Sequence, residues 1–168
     1  KFIPNKQLES FTWSTKEIEE HEIVSEYIET IFHKLNLDSY VKEEPKNIIA
    51  GNVIHLQTIF KYKTKDINTI STSFLDLLYP TPAVCGSPKN EALSFILEHE
   101  LHKRSFYSGF LGNVNINAET NLFVNLRCMQ LKEKKAILYL GCGLTKDSVP
   151  EKEWDEFQLK AQTLLSVF

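Results

Sequence analysis

Apolar residues fall into two periods along this chain, and the switches between them predict its elements. Ile18, Val24, Tyr27, Ile28, Ile31, Phe32 and Leu35 recur at helical spacing, with Ser14 and Glu17 forming a capping box ahead of them, so a helix is expected over residues 14–36. Over 52–63 the pattern becomes alternation. Ile54, Leu56, Phe60 and Tyr62 face one way and His55, Gln57 and Lys61 the other, as in a half-buried strand. A short helix is expected over 72–78, stopped by Pro80 and Pro82. Ser87 as N-cap and Pro88 at the first helical position then open a third helical stretch containing Ala92, Leu93, Phe95, Ile96 and Leu97.

Strands are expected again over 107–116, 122–131 and 136–140. The last two form a hairpin about the charged turn 132–135, with Arg127 on its more polar face. Ser148, Pro150 and Glu151 cap a final helix in which Trp154, Phe157, Ala161 and Leu164 form the buried stripe, while Glu153, Glu156 and Lys160 share the neighbouring one. With no repeats, the class is α+β, a largely antiparallel sheet packed with helices.

At 168 residues the chain is one domain or a large piece of one. Its formal charge of −3 gives no footprint for nucleic acid, and no basic helix suggests a membrane surface. An anionic ligand must therefore meet a few placed cations or a metal. No apolar run approaches a membrane span, and residues 1–8 carry no signal-peptide core. Cys85, Cys128 and Cys142 are odd in number, lack C-x-x-C spacing and lie in apolar runs, which fits free thiols in a reducing, cytoplasmic compartment. The chain starts at Lys1 and its single methionine is Met129, which leaves room for residues upstream.

Two glutamate pairs at i,i+3 spacing, Glu17/Glu20 and Glu153/Glu156, stand near the starts of the first and last helices. On spacing alone each is a solvated face; brought together, they form a carboxylate cluster suited to Mg²⁺, which takes one or two carboxylates plus substrate oxygens and water. Residues 79–89 read Y-P-T-P-A-V-C-G-S-P-K, where three prolines and Gly86 make a stiff loop able to form a wall. This segment resembles the P-T-P-A-V-C-G signature of isochorismate synthases within the chorismate-utilising enzyme family. K-E-I-E-E-H over 16–21, H-L-Q-T over 55–58, Y-S-G over 107–109, Leu126-Arg127, G-C-G over 141–143 and D-S-V-P-E-K-E-W-D-E over 147–156 with Lys160 extend the resemblance in the same order.

The resemblance implies the fold of the chorismate-binding domain (anthranilate synthase component I-like) and a role for each matching residue. Glu20 and Glu156 would hold Mg²⁺ against the ring carboxylate of chorismate, with Glu17 and Glu153 acting through water. Arg127 and Tyr107 would hold the enolpyruvyl carboxylate. Gly141 and Gly143 would bring backbone N–H groups to a carboxylate, although G-x-G alone is also an ordinary turn. Lys160 would add charge beside the metal, or equally make an i,i+4 ion pair. His55 would contact the ring, or serve as a structural hydrogen-bonding residue. Ala83 leaves room for water at the ring, which implies water rather than ammonia as nucleophile and isochorismate as product. Salicylate synthase, and a catalytically silent chorismate-binding domain, are the alternatives.

The family's general base, a lysine in a K-V-V-x-x-R-like strand, and its general acid, a glutamate in S-P-E, have no match here. Residues 1–168 thus resemble the C-terminal portion of the domain, without the N-terminal half of the enzyme. Such a piece is expected to be inactive alone and to self-associate through apolar sheet surface. Menaquinone and siderophore biosynthesis are both compatible destinations. Gly141-Cys142-Gly143-Leu144 in place of G-A-G-I and Phe157-Gln158 in place of Thr-Glu are smaller departures, the phenylalanine reading as packing.

Overall fold

A computed structural model describes residues 11–50, 53–65 and 67–166; positions 1–8 and 52, which the sequence reading touched, lie outside them. The chain divides into two compact units, Lys1–Tyr79 and Pro80–Phe168. Helices and antiparallel strand pairs follow one another along the chain, the α+β arrangement expected from the periodicity.

The first unit opens with α1 (Thr15–Lys34), whose N-terminus is closed by the capping box: Glu17 accepts from the Ser14 N–H at 2.9 Å, and Ser14 Oγ accepts from the Glu17 N–H. Strands β1 (Val41–Lys42) and β4 (Phe60–Lys61) pair antiparallel, as do β2 (Lys46–Ala50) and β3 (Val53–Gln57). The strand expected over 52–63 is therefore two strands, each with a different partner, separated by Thr58 and Ile59. Helix α2 (Ile67–Leu78) starts earlier than the predicted 72.

The core of this unit is a cluster of aromatic rings around buried Phe32. Tyr40 stacks on it at 4.5 Å between centroids, Phe74 of α2 meets it edge-on at 5.2 Å, and Phe60 and Tyr62 lie at 6.1 Å. The Tyr27 hydroxyl donates to the Leu77 carbonyl at 2.5 Å, occupying an acceptor at the end of α2 that has no partner within the helix. Apolar burial and one directional bond thus fix α2 to α1.

In the second unit, α3 (Pro82–Cys85) is a single helical turn inside the proline-rich loop, with Thr81 as N-cap and Pro82 at N1. Helix α4 (Lys89–His99) follows, and its N-cap is Pro88, not Ser87. Pro88 has ψ 143°, outside the helical region, so helical geometry begins one residue later than predicted. No α4 residue is fully buried, and Phe95 and Leu97 are largely exposed.

Strand β5 (Phe110–Ile116) pairs with β6 (Glu119–Val124), and β7 (Cys128–Lys132) with β8 (Lys135–Tyr139). The single strand predicted over 122–131 breaks at Asn125 to Arg127, where Arg127 takes φ 49°. A left-handed residue cannot continue a strand, so Arg127 sits at the bend entering β7 and not on the polar face of a hairpin. Helix α5 (Pro150–Leu165) has Val149 as N-cap with Pro150 at N1; the Ser148 hydroxyl instead accepts from the Thr145 N–H.

The inward face of α5 also differs from prediction. Glu153 and Ala161 are buried, Phe157 and Leu164 half-buried, and Trp154 is 60 % exposed while stacking on Phe157. A stripe through 153, 157, 160, 161 and 164 fits the 3.6-residue period, and Trp154 lies beside it. The cysteines are free, with Cys85 buried and Cys128 and Cys142 half-buried. Strands β5 and β6 expose Phe110, Leu111, Val114, Phe123 and Val124. No helix among the described residues is long and apolar enough to cross a membrane.

Candidate functional site

Four of the residues singled out in the sequence meet inside the second unit. Gly141 lies two residues beyond β8, Tyr107 precedes β5, and Glu156 and Lys160 are one turn apart on α5. Lys160 Nζ donates to the Gly141 carbonyl at 2.9 Å and lies 2.6 Å from Glu156 Oε1. The i,i+4 ion pair offered by the sequence is therefore formed. The Tyr107 ring stacks on Tyr139 at 6.0 Å, and a Cβ added at Gly141 would stand 2.5 Å from the Tyr107 hydroxyl. A side chain at 141 would therefore have to push the Tyr107 hydroxyl aside. Burial raises the Tyr107 pKa, with the nearby Arg104 charge opposing, and this keeps the phenol protonated as a donor at neutral pH.

Arg127 is half-buried, and its bend is tied to the loop carrying Tyr107. The Ser108 N–H donates to the Asn125 carbonyl (2.9 Å), the Asn125 N–H to the Gly109 carbonyl (2.7 Å), and Asn125 Nδ2 to the Phe106 carbonyl (2.8 Å). An open cleft of about 500 Å³ runs along this junction, lined by Tyr107, Phe110, Asn125, Cys128 and Tyr139 among others. Ala83 lies exposed in α3, and Gly143 is exposed in the segment between β8 and α5.

The first unit holds the other candidates. Glu17 is engaged by the capping box, accepting also from Ser14 Oγ at 2.7 Å, and Glu20 lies 3.6 Å from Lys16. His55 stands in β3 opposite Ile48 and is half-buried. His21 Nε2 lies 2.8 Å from Thr58 Oγ1, joining α1 to the segment just beyond His55. Burial lowers the His21 pKa, with the Glu22 charge opposing and Lys42 assisting, so the imidazole is neutral at pH 7.

Each unit offers one pair of glutamates. Among the described residues no three His, Cys, Asp or Glu side chains gather into a group that could hold a metal ion. The donor chemistry of a pair nonetheless fits Mg²⁺, a hard cation that keeps several waters and uses few protein carboxylates.

Sequence reasoning missed the groups that hold this site in place. Asn125, whose main chain and side chain together pin the Tyr107 loop, carries no motif. Arg104 and Glu100 were legible only as an i,i+4 pair of opposite charge.

The sequence model for the family described as chorismate binding enzyme matches residues 5–168. The isochorismate synthase DhbC of Bacillus subtilis is 30% identical over 152 residues, 90% of this chain and 38% of its own length. The isochorismate synthase EntC of Escherichia coli is 31% identical over 155 residues, 92% of this chain and 39% of its own. The crystal structure of a Bacillus anthracis DhbC, described as a 2,3-dihydroxybenzoate-specific isochorismate synthase, superposes with a TM-score of 0.80 at 33% identity. It covers 95% of this chain and 42% of that one. The chain thus spans about two fifths of the length of the relatives it matches.

Proposed function

The chain belongs to the chorismate binding enzyme family, and we propose that the protein carrying it is an Mg²⁺-dependent isochorismate synthase. The observation that carries this reading is the grouping of Tyr107, Gly141, Lys160 and Glu156 in one unit, beside the bend that bears Arg127. Relatives of that name over most of the chain support it.

Chorismate is a dianion, and this chain supplies positions for both carboxylates. Arg127 and Tyr107 bind the enolpyruvyl carboxylate, the arginine through a planar fork and the phenol as a single directional donor. The N–H groups of Gly141 and Gly143 approach the ring carboxylate, with the Lys160 charge held nearby on the Gly141 carbonyl. His55 contacts the ring. Glu20 and Glu156 would hold Mg²⁺, with Glu17 and Glu153 acting through water, and the bound ion would offset the charge of the ring carboxylate. Ala83 leaves space for water to add at C2 as the C4 hydroxyl departs, so that the net change is an isomerisation. The base that takes the proton of that water and the acid that protonates the leaving hydroxyl are assigned to residues outside this chain, which alone should be inactive and self-associate through its exposed sheet surface. The reading places the enzyme in the cytoplasm, feeding menaquinone or siderophore biosynthesis.

Gly141→Ala tests the binding half of this reading. Displacing the Tyr107 hydroxyl should raise KM for chorismate about five- to tenfold, the worth of one neutral hydrogen bond, with kcat and thermal stability little changed. An unchanged KM would remove Tyr107 from the substrate site. The reaction itself is tested by incubating the intact protein with chorismate and Mg²⁺, with and without ammonium, and identifying products by chromatography and NMR. Isochorismate is expected in both. Salicylate with pyruvate would make the protein a salicylate synthase, an ammonium-dependent aminated product would refute water as nucleophile, and unchanged chorismate would leave a binding domain.

A further inference from the structure

Arg104 lies on the segment between α4 and β5, and the expected substrate contacts do not include it. Its guanidinium makes four hydrogen bonds to the protein. Nε donates to Glu100 Oε2 at 2.8 Å, and Nη2 donates to Glu100 Oε1. Nη1 donates to the Val84 carbonyl at 2.7 Å and to Ser108 Oγ at 3.3 Å, and the guanidinium carbon lies 5.8 Å from the centre of the Tyr107 ring. The Arg104 carbonyl also accepts from the Tyr107 N–H at 2.9 Å.

These contacts join two segments twenty residues apart. Val84 follows Ala83 in the helical turn α3, and Ser108, only 2 % exposed and at φ 66°, follows Tyr107. A left-handed serine needs neighbours that hold it there. The bidentate pair with Glu100 settles what the cation is for: its charge is matched within the protein, and the Glu100 carboxyl is held below its usual range chiefly by hydrogen bonding to Arg104. The enolpyruvyl carboxylate is left to Arg127, which carries no such bidentate partner among the hydrogen bonds of the described residues.

We propose that Arg104, neutralised by Glu100, is a positioning residue that fixes the Tyr107 phenol relative to the Ala83–Val84 turn. Its functional consequence rests on the reading of Tyr107 and Ala83 as substrate contacts; its structural claim does not. Lysine cannot replace it, since one ammonium cannot donate to a carboxylate, the Val84 carbonyl and Ser108 in the directions of a planar fork.

The test uses the intact protein with 3-fluorotyrosine placed at position 107, so that ¹⁹F NMR reports the ring environment without substrate. Arg104→Gln, Arg104→Lys and Glu100→Gln are compared, the last keeping the guanidinium should Arg104→Gln fail to fold. All folded variants should shift and broaden the Tyr107 resonance. KM for chorismate should rise roughly tenfold in Arg104→Gln, with a smaller change in kcat. Combined with Tyr107→Phe, Arg104→Gln should add little further loss, because both act through one phenol. An unmoved resonance in folded Arg104→Gln and Glu100→Gln overturns the proposal, as do fully additive kinetic losses. A shifted resonance with KM unchanged in both Arg104→Gln and Tyr107→Phe upholds the clamp and instead refutes the substrate role of Tyr107.

Discussion

Replacing Glu156 by alanine in the intact protein should lower Mg²⁺-dependent turnover of chorismate by at least ~10²-fold, beyond the 10–100-fold typical of groups that act on a metal through another ligand. The same change should barely alter stability. Glu156 is half exposed, and its 2.6 Å contact with Lys160 is an i,i+4 surface pair worth about 0.3–0.5 kcal/mol. A large functional loss at nearly constant melting temperature is the signature of a ligand, whereas parallel losses would mark a helix-stabilising residue. Glu153→Gln gives the internal contrast. Its side chain is buried, so loss of the charge should lower metal affinity about 10–100-fold and also disturb the inner face of α5. Isothermal titration with Mg²⁺ in the presence of chorismate separates the cases. Unchanged metal affinity in Glu156→Ala would sink the assignment, and restored activity at high Mg²⁺ would identify weakened binding as the cause.

What was legible in the sequence follows the range of the interactions involved. The start of α1 could be read because its capping box closes within four residues, with both halves visible as Ser14 and Glu17. The break at Arg127 could not. Polar alternation continues through Asn125, Leu126 and Arg127, and what turns the chain is Asn125 bonding to a loop sixteen to nineteen residues earlier. At α5 the period was right and Phe157, Ala161 and Leu164 turn inward as expected, with Trp154 alone beside the stripe. Trp154 was assigned inward by helical spacing with Phe157 and Ala161, while the segment after β8 receives Lys160 on its Gly141 carbonyl and so helps fix which face of the helix turns in. Tyr107, Arg127 and Gly141 were singled out through the resemblance of short motifs. The groups holding them match no motif: Asn125 bonds main-chain groups that any residue supplies, and Arg104 and Glu100 show in the sequence only as an i,i+4 pair of opposite charge.

Phe32→Ala should cost about 3–5 kcal/mol, a large share of the roughly 5–15 kcal/mol that stabilises an ordinary domain. The ring is 4 % exposed and touches four other aromatic residues, drawn from the segment after α1, from β4, from the residue following it, and from α2. No neighbour can refill the space without leaving its own contacts, so the cavity term adds to the transfer term. Phe95, 62 % exposed, provides the control and should lose less than about 1 kcal/mol on truncation. Guanidinium denaturation followed by near-ultraviolet circular dichroism reads both. A Phe32→Ala loss no larger than that of Phe95→Ala would mean that the aromatic cluster does not hold the unit together. The consequence reaches the candidate site, because α1 presents Glu17 and Glu20 and is joined through His21 to Thr58, beyond His55. Loosening the ring cluster frees α1 from the hairpins and α2, so the variant should also lose Mg²⁺ affinity at temperatures where it remains folded. Metal binding that survives intact would separate the carboxylates of α1 from the core beneath them.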